Sequence, residues 1–318
     1  MTAWSLVEGA FRLRATETGV AAAAQQANRS AAEARKQQVG TISRQAAPRH
    51  VLGEQRGFSE GPSAVLDAFR SQRRRFITSL RGFDASAWHT PTRCARWSVH
   101  DVVRHVRDRA VLHVARLGGR PDQFGVPAAI HQPTTPVGRP AHSAGQTPDE
   151  TLRELILLVD EEDRLLQRKA RLDPSETRLG PLRRTLHWSV SSTHSFWDAW
   201  VHERDIALPL GLKLPYPIAE LRLATMYGLL AAAAPAGWAG EYIRTTVQLE
   251  GSRDPSYEIT HAGDNIKVIT SPESDAELAG DAVAVLDSLA GRGPMPREVF
   301  GIASAVVSQL TLLREVAT

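Results

Sequence analysis

The spacing of apolar residues changes character once along this chain, and that change limits the folds open to it. From Pro62 to about Ala233 apolar side chains recur at helical spacing in successive blocks, whereas beyond Trp238 they alternate with polar ones. Helical blocks followed by alternating ones define an α+β fold, in which helices pack on one another and a small sheet follows. In the first block Val65, Leu66, Phe69, Phe76, Ile77 and Leu80 predict a helix from Pro62 to about Leu80. Ser98 opens a second, with Asp101 three residues on as in a capping box, and Val99, Val102, Val103, Val106 and Ala110 form its apolar stripe. A third runs from about Pro148 to Arg171, with Leu152, Leu155, Ile156, Val159 and Leu166 inward, and a fourth from about Leu182 to Leu208. Four amphipathic helices of this kind form an up-down bundle.

A fifth helix, 218–233, ends in "LLAAAAPAG", where Pro235 and Gly237 stop it and set a domain boundary. The stretches "YIRTTVQLE", "SYEITHAG" and "NIKVITSP" then read as three strands, the last two joined by a turn at Gly263-Asp264. A helix over 280–289, the turn "GRGPMP" and a closing helix to about Arg314 complete a small α+β domain. The expected division is therefore a bundle over 61–237 and an α+β domain over 238–318. Residues 1–60, rich in Ala, Gln, Arg and Ser, hold too few large apolar side chains to offset the entropy of ordering, and are expected to be disordered. Prolines at 121, 127, 133, 136 and 140 make 118–146 a long loop, of the length that often serves function.

Charge and composition narrow the function classes. The formal net charge is +3, and Lys36, Lys169, Lys213 and Lys267 are the only lysines beside many arginines. No basic stripe interleaved with aromatics is present, and Arg73-Arg74-Arg75 fits the solvated side of a helix, so nucleic acid is not an expected partner. No apolar run reaches the length of a membrane helix and the N-terminus lacks the pattern of a secretory signal, which gives a cytoplasmic expectation. Cys94 is the single cysteine, so an internal disulfide and a cysteine-based zinc site are both excluded. Any metal must take nitrogen and oxygen ligands.

Such ligands converge in the stretch "WDAWVHERD". Asp198 and His202 stand four apart on the fourth helix, on the flank of its core-facing stripe, where side chains approach to about 6 Å. His105 borders the valine stripe of the second helix and faces the bundle interior. His105, Asp198 and His202 form a set of two imidazoles and a carboxylate, suited to Zn²⁺ or another first-row divalent ion with positions left open. The alternative is a pair of hydrogen-bonded core histidines and a chance spacing. His194, one turn earlier, reads as structural, and His89, His100, His113, His131, His142, His187 and His261 as surface or ordinary packing. Trp97, Trp188 and Trp197 read as core, and Cys94 as a small buried residue in the turn before the second helix.

The segment "ASAWHTPTRCARWSVHDVVRHVRD" resembles the mycothiol-dependent maleylpyruvate isomerase family, a branch of the DinB-like metal-binding four-helix bundles. There a "T-x-C-x-x-W-S-V-x-D" stretch leads to a metal-binding histidine, which falls here on His105. A carboxylate and a histidine four apart, followed by an "H-x-x-D" aspartate, fall on Asp198, His202 and Asp205, with aspartate standing where the family more typically has glutamate. The tail "GDAVAVLDSLAGRGPMP" resembles the end of the family's sterol-carrier-like C-terminal domain, and the likeness runs from about 62 to 318.

The resemblance implies a zinc-bound thiol of mycothiol, the low-molecular-weight thiol of actinobacteria, acting on a small electrophile by cis-trans isomerisation or S-transfer. It also implies that an arginine of the C-terminal domain, Arg292 here, closes the site as a catalytic group by meeting a substrate carboxylate. Asp205 either orients His202 or forms a structural ion pair. Two other readings stay open: hydrolysis by metal-bound water, and a non-catalytic binding or regulatory protein with a weakened metal site. Nothing in the residues sets the electrophile or chooses between monomer and homodimer.

Overall fold

A computed structural model describes residues 51–52, 62–118, 145–172, 177–179, 185–233, 243–251, 256–262, 265–270 and 278–294. The 118–146 loop beyond Gly118 and before Gly145, the Gly263-Asp264 turn, the stop at Pro235 and Gly237, and the closing helix to Arg314 lie outside these residues. Residues 50–318 form one compact unit. Among the described residues no helix is long and apolar enough to cross a membrane.

Strand β1 (Val51–Leu52) precedes helices α1 (Pro62–Arg81), α2 (Val99–Gly118) and α3 (Pro148–Leu172). Strands β2 (Thr177–Leu179) and β3 (Thr185–His187) form a short antiparallel pair before α4 (Trp188–Ala207) and α5 (Ile218–Ala233). Strands β4 (Ile243–Glu250), β5 (Ser256–Ala262), β6 (Asn265–Thr270) and β7 (Leu278–Asp281) lead into α6 (Ala282–Leu289). The fold is α+β, as the periodicity predicts. Helix starts are set locally: Ser98 Oγ accepts from the Asp101 amide while the Asp101 carboxylate accepts from the Ser98 amide, 3.2 and 3.0 Å. Thr147 and Glu150 do the same at the head of α3, with Pro148 in the first turn.

The helices pack as a square in which α1 and α2 each contact α3 and α4. Nearly every side of α4 is covered, and only Ser189, Ser191, His194 and Asp198 escape full burial. Helix α5 is apolar all round because it lies between α4 on one side and the sheet with α6 on the other. Gly228 allows this close approach, since a Cβ there would fall 2.6 Å from Leu286 Cδ2. The five-stranded sheet has the order β1-β6-β5-β4-β7, with β1 parallel to β6, β7 parallel to β4 and the three central strands antiparallel. Trp200 and Leu230 share one apolar core with Val247, Tyr257, Val268 and Leu286, so burial runs unbroken from bundle to sheet. Each such large side chain contributes about 1.5–3 kcal/mol when fully buried.

Four expectations are corrected. Arg73 and Arg75 do not lie on a solvated face: Arg73 is buried against Glu162, and Arg75 is closed by Glu203 and Glu220. The fourth helix begins at Trp188 rather than Leu182, because Thr185–His187 pairs with Thr177–Leu179. Leu186, inside the expected helix, is therefore a strand residue. The disorder assigned to 1–60 does not reach Val51–Leu52, which hydrogen-bond along the β6 edge.

Candidate metal centre

His105, on α2, and Asp198 and His202, on the adjoining α4, bring their ligand atoms within 4.8 Å of one another. His105 Nε2 lies 3.6 Å from Asp198 Oδ2 and His202 Nε2 lies 3.9 Å from Asp198 Oδ1. Both separations exceed a hydrogen bond, and Asp198 Oδ2 is buried with no hydrogen-bond partner among the described residues. Two ligands about 2.0–2.1 Å from a tetrahedral ion lie about 3.4 Å apart, so the spacing suits a shared ion better than direct contact. The rings of His105 and His202 meet edge to face at 4.8 Å, and Trp97 covers both, at 5.2 and 6.3 Å. Trp97 is thus half-buried, packed against the core as expected and walling the site in addition. Its turn is tight enough to put Arg96 in the left-handed region, at φ 69°.

His202 is held from behind. Its Nδ1 hydrogen-bonds Asp205 Oδ2 at 3.0 Å, which turns Nε2 toward Asp198. Burial opposes a charged His202, but Asp205, Cys94 and the Asp198 charge outweigh it and push its pKa up to about 10. Burial lowers the pKa of His105, against the pull of Asp198. For Asp198 burial acts upward, yet the two imidazoles and Arg109 hold its carboxyl well below the ordinary range.

Asp205 is fully buried and carries a second layer. Arg292 donates from Nε to both its carboxylate oxygens, at 2.9 and 3.1 Å, and from Nη2 to Oδ2 at 3.1 Å. The Cys94 thiol also donates to Oδ2, at 3.1 Å. Asp205 is therefore both of the things the sequence offers: it orients a histidine and closes an ion pair. Cys94 packs as expected, but among charged groups, 3.2 Å from Arg292 Nη2 and 3.6 Å from His202 Nδ1. Cys94, His202 and Asp205 also cluster closely enough to ligate an ion, but a guanidinium already fills that position.

Arg292 sits in the turn after α6 with its side chain 8% exposed. Its remaining described bond, from Nη1, goes to the Ala290 carbonyl. The predicted arginine of the C-terminal segment thus reaches the site, and its carboxylate partner in the structure is Asp205. Arg204 and Arg93 pin the same segment to the bundle through Asp287, at 2.7 and 3.1 Å.

Arg109 and Tyr227, beside the candidate ligands, escape the sequence reading, and both bond to His194. Arg109 Nη2 donates to His194 Nε2 at 2.7 Å, and His194 Nδ1 donates to the Tyr227 hydroxyl at 2.7 Å. Burial, reinforced by Arg109, pushes the His194 pKa down to about 3, so the ring is neutral and accepts from the arginine. The signal was present, since Arg109 follows His105 by four residues, the same spacing that marks Asp198 and His202. His113, expected in ordinary packing, is buried between Glu162 and Ser192, at 2.7 and 3.1 Å.

Comparison with known proteins agrees with this architecture. Residues 69–207 match the family model described as Mycothiol maleylpyruvate isomerase N-terminal domain. Over those residues, most of the bundle, the chain is similar to that family. The fold is similar to two crystal structures, the mycothiol-dependent maleylpyruvate isomerase and a histidine-to-alanine mutant of it. Each is 14% identical, with a TM-score of 0.50, over 73% of this chain and 90% of the other. Among curated proteins nothing matches.

Proposed function

We propose that the chain is a metal- and mycothiol-dependent enzyme of the maleylpyruvate isomerase type, an isomerase or S-transferase acting on a small electrophile. The observation that carries this reading is the Asp198 carboxylate, its Oδ2 buried and unbonded among the described residues, with one oxygen toward each imidazole. His105, Asp198 and His202 would hold Zn²⁺ or another first-row divalent ion. An ion there favours the thiolate of a thiol whose free pKa is about 8.5, giving a nucleophile at neutral pH.

The chain's own residues supply the rest. Asp205 fixes the orientation of His202, and Trp97 shields one side of both rings. Cys94 lies on the Nδ1 side of His202, away from the ligand atoms, so the protein brings no nucleophile of its own to that point. Arg292 enters as a positioning group acting through Asp205; the direct contact with a substrate carboxylate implied by the family resemblance requires this bond to be exchanged.

Elemental analysis of the purified protein tests the metal set. About one zinc per chain, lost in both His105→Ala and His202→Ala, is the expected result. Turnover of maleylpyruvate or another activated alkene by the loaded protein is then expected only with mycothiol present. A wild-type chain that stays metal-free after zinc is supplied would sink the proposal.

A further inference from the structure

We propose that Arg109 is the specificity-determining residue of the centre, binding a carboxylate group of the ligand that reacts there. The proposal rests on the functional reading above only for what sits beside it, and the binding site itself is argued from this chain's side chains.

The partial exposure of α4 narrows at its inner end to one stripe, Ser191, His194 and Asp198, at i, i+3 and i+7. Across from it α2 presents His105, Arg109 and Arg116, none fully buried. The two rows face each other along about 16 Å of the α2–α4 seam, from the rise of eleven helical residues, with the candidate metal ligands at one end. At the other a pocket is lined by His113, Arg116, Lys169 and Ser191 among others. The two rows hold Arg109 and Arg116 and a single carboxylate, Asp198, which the ion would share.

Arg109 differs from four other arginines of the fold, each of which is closed by a carboxylate. Arg73 is closed by Glu162, Arg75 by Glu203 and Glu220, Arg107 by Glu154, and Arg292 by Asp205. Arg109 has one hydrogen bond among the described residues, and its acceptor is a neutral imidazole. Its nearest carboxylate oxygen, Asp198 Oδ2, is 4.0 Å from Nε, beyond a hydrogen bond. A guanidinium carries five N–H donors. Four are therefore without a described partner on a side chain that is 27% exposed and fixed at one corner by His194 and, behind it, Tyr227. A planar fork held in one orientation, with its charge unneutralised by direct bonding, suits a carboxylate bound two-fold. It stands one helical turn from His105, so a carboxylate held there would keep the rest of a small ligand beside the metal ligands.

Maleate, a dicarboxylate probe, and its dimethyl ester separate the possibilities by calorimetric titration of the full chain, zinc-loaded and metal-free. Wild type is expected to bind maleate and not the ester in both forms. A charge-assisted bond lost from the site weakens binding roughly 10- to 100-fold in Arg109→Gln. Arg109→Lys, which keeps the charge but not the fork, should recover part of that loss. Zinc content and circular dichroism are expected to match wild type in both variants, so a folding defect would be seen directly. Maleate affinity within twofold of wild type in Arg109→Gln overturns the proposal, as does no maleate binding to either form at roughly 50 mM. A chain that takes up no zinc yet binds maleate through Arg109 would remove the metal reading and leave this one standing. Maleate bound by the zinc form alone, indifferent to Arg109, would do the reverse.

Discussion

Loading zinc into the centre should displace one proton, and that proton should come from His202. At pH 7 a group with a pKa of about 10 is essentially fully protonated. His105 is shifted downward and Asp198 lies well below the ordinary carboxylate range, so both are already in the ligating form. The expected release is therefore about one proton per zinc, whereas two unperturbed histidines of pKa about 6.5 would together give about 0.5. Because binding competes with His202 protonation, apparent zinc affinity should rise about tenfold per pH unit, or about 1.4 kcal/mol, from pH 7 and level off near 10. Calorimetric titration in buffers of different ionisation enthalpy counts the protons. Asp205→Asn removes the hydrogen-bonded carboxylate that stabilises the imidazolium, so its count should fall. A proton lost instead from zinc-bound water would be unaffected by that change. A wild-type count near 0.5 at pH 7, or a count undiminished in Asp205→Asn, would refute the argument.

Other perturbations probe separate links. Asp198→Asn keeps the side-chain shape but removes the charge between the imidazoles, and should leave a folded chain that no longer retains zinc on elemental analysis. Glu162→Gln strips the carboxylate from Arg73 and His113 inside the bundle, where Arg73 is 2% exposed. Urea unfolding should show a loss of about 3–5 kcal/mol, and a loss below about 1 would mean that the buried pair is not what holds these helices. Ser98→Ala deletes the cap of α2 and should cost about 0.5–2 kcal/mol in the same assay, against no change if the Asp101 side of the box suffices.

Much of this molecule was legible in its sequence where local chemistry decides. Ser98 with Asp101, and Pro148, mark helix starts that the structure keeps, and the alternation of "YIRTTVQLE" and "NIKVITSP" marks real strands. A helix start at about Leu182 misled because Thr185–His187 is fixed as a strand by pairing with Thr177–Leu179, a contact that no periodicity records. Leu152, Ile156 and Val159 are only partly covered, while Glu162 is buried, because Arg73 and His113 make a charged residue tolerable on the inner face. The His105, Asp198 and His202 set was readable from i,i+4 spacing and the family motif together. The roles of Arg109 and Cys94 depend on how helices and the C-terminal turn meet in space, which spacing within one helix does not express.

The bond between Arg292 and Asp205 spans 87 residues, and a polypeptide is made from one end. His105, Asp198, His202 and Asp205 all leave the ribosome before the guanidinium that closes Asp205 has been synthesised. During that interval the only described arginine near the carboxylate is Arg93, at 3.7 Å. A nascent bundle therefore carries its candidate ligand set beside an open acidic group, and the electrostatic setting of His202 matures only once residue 292 has been made. A chain without Arg292 would keep His105, Asp198 and His202 in its sequence yet lack the guanidinium that closes Asp205, so the last-made part of this contact sets the electrostatics of the first-made.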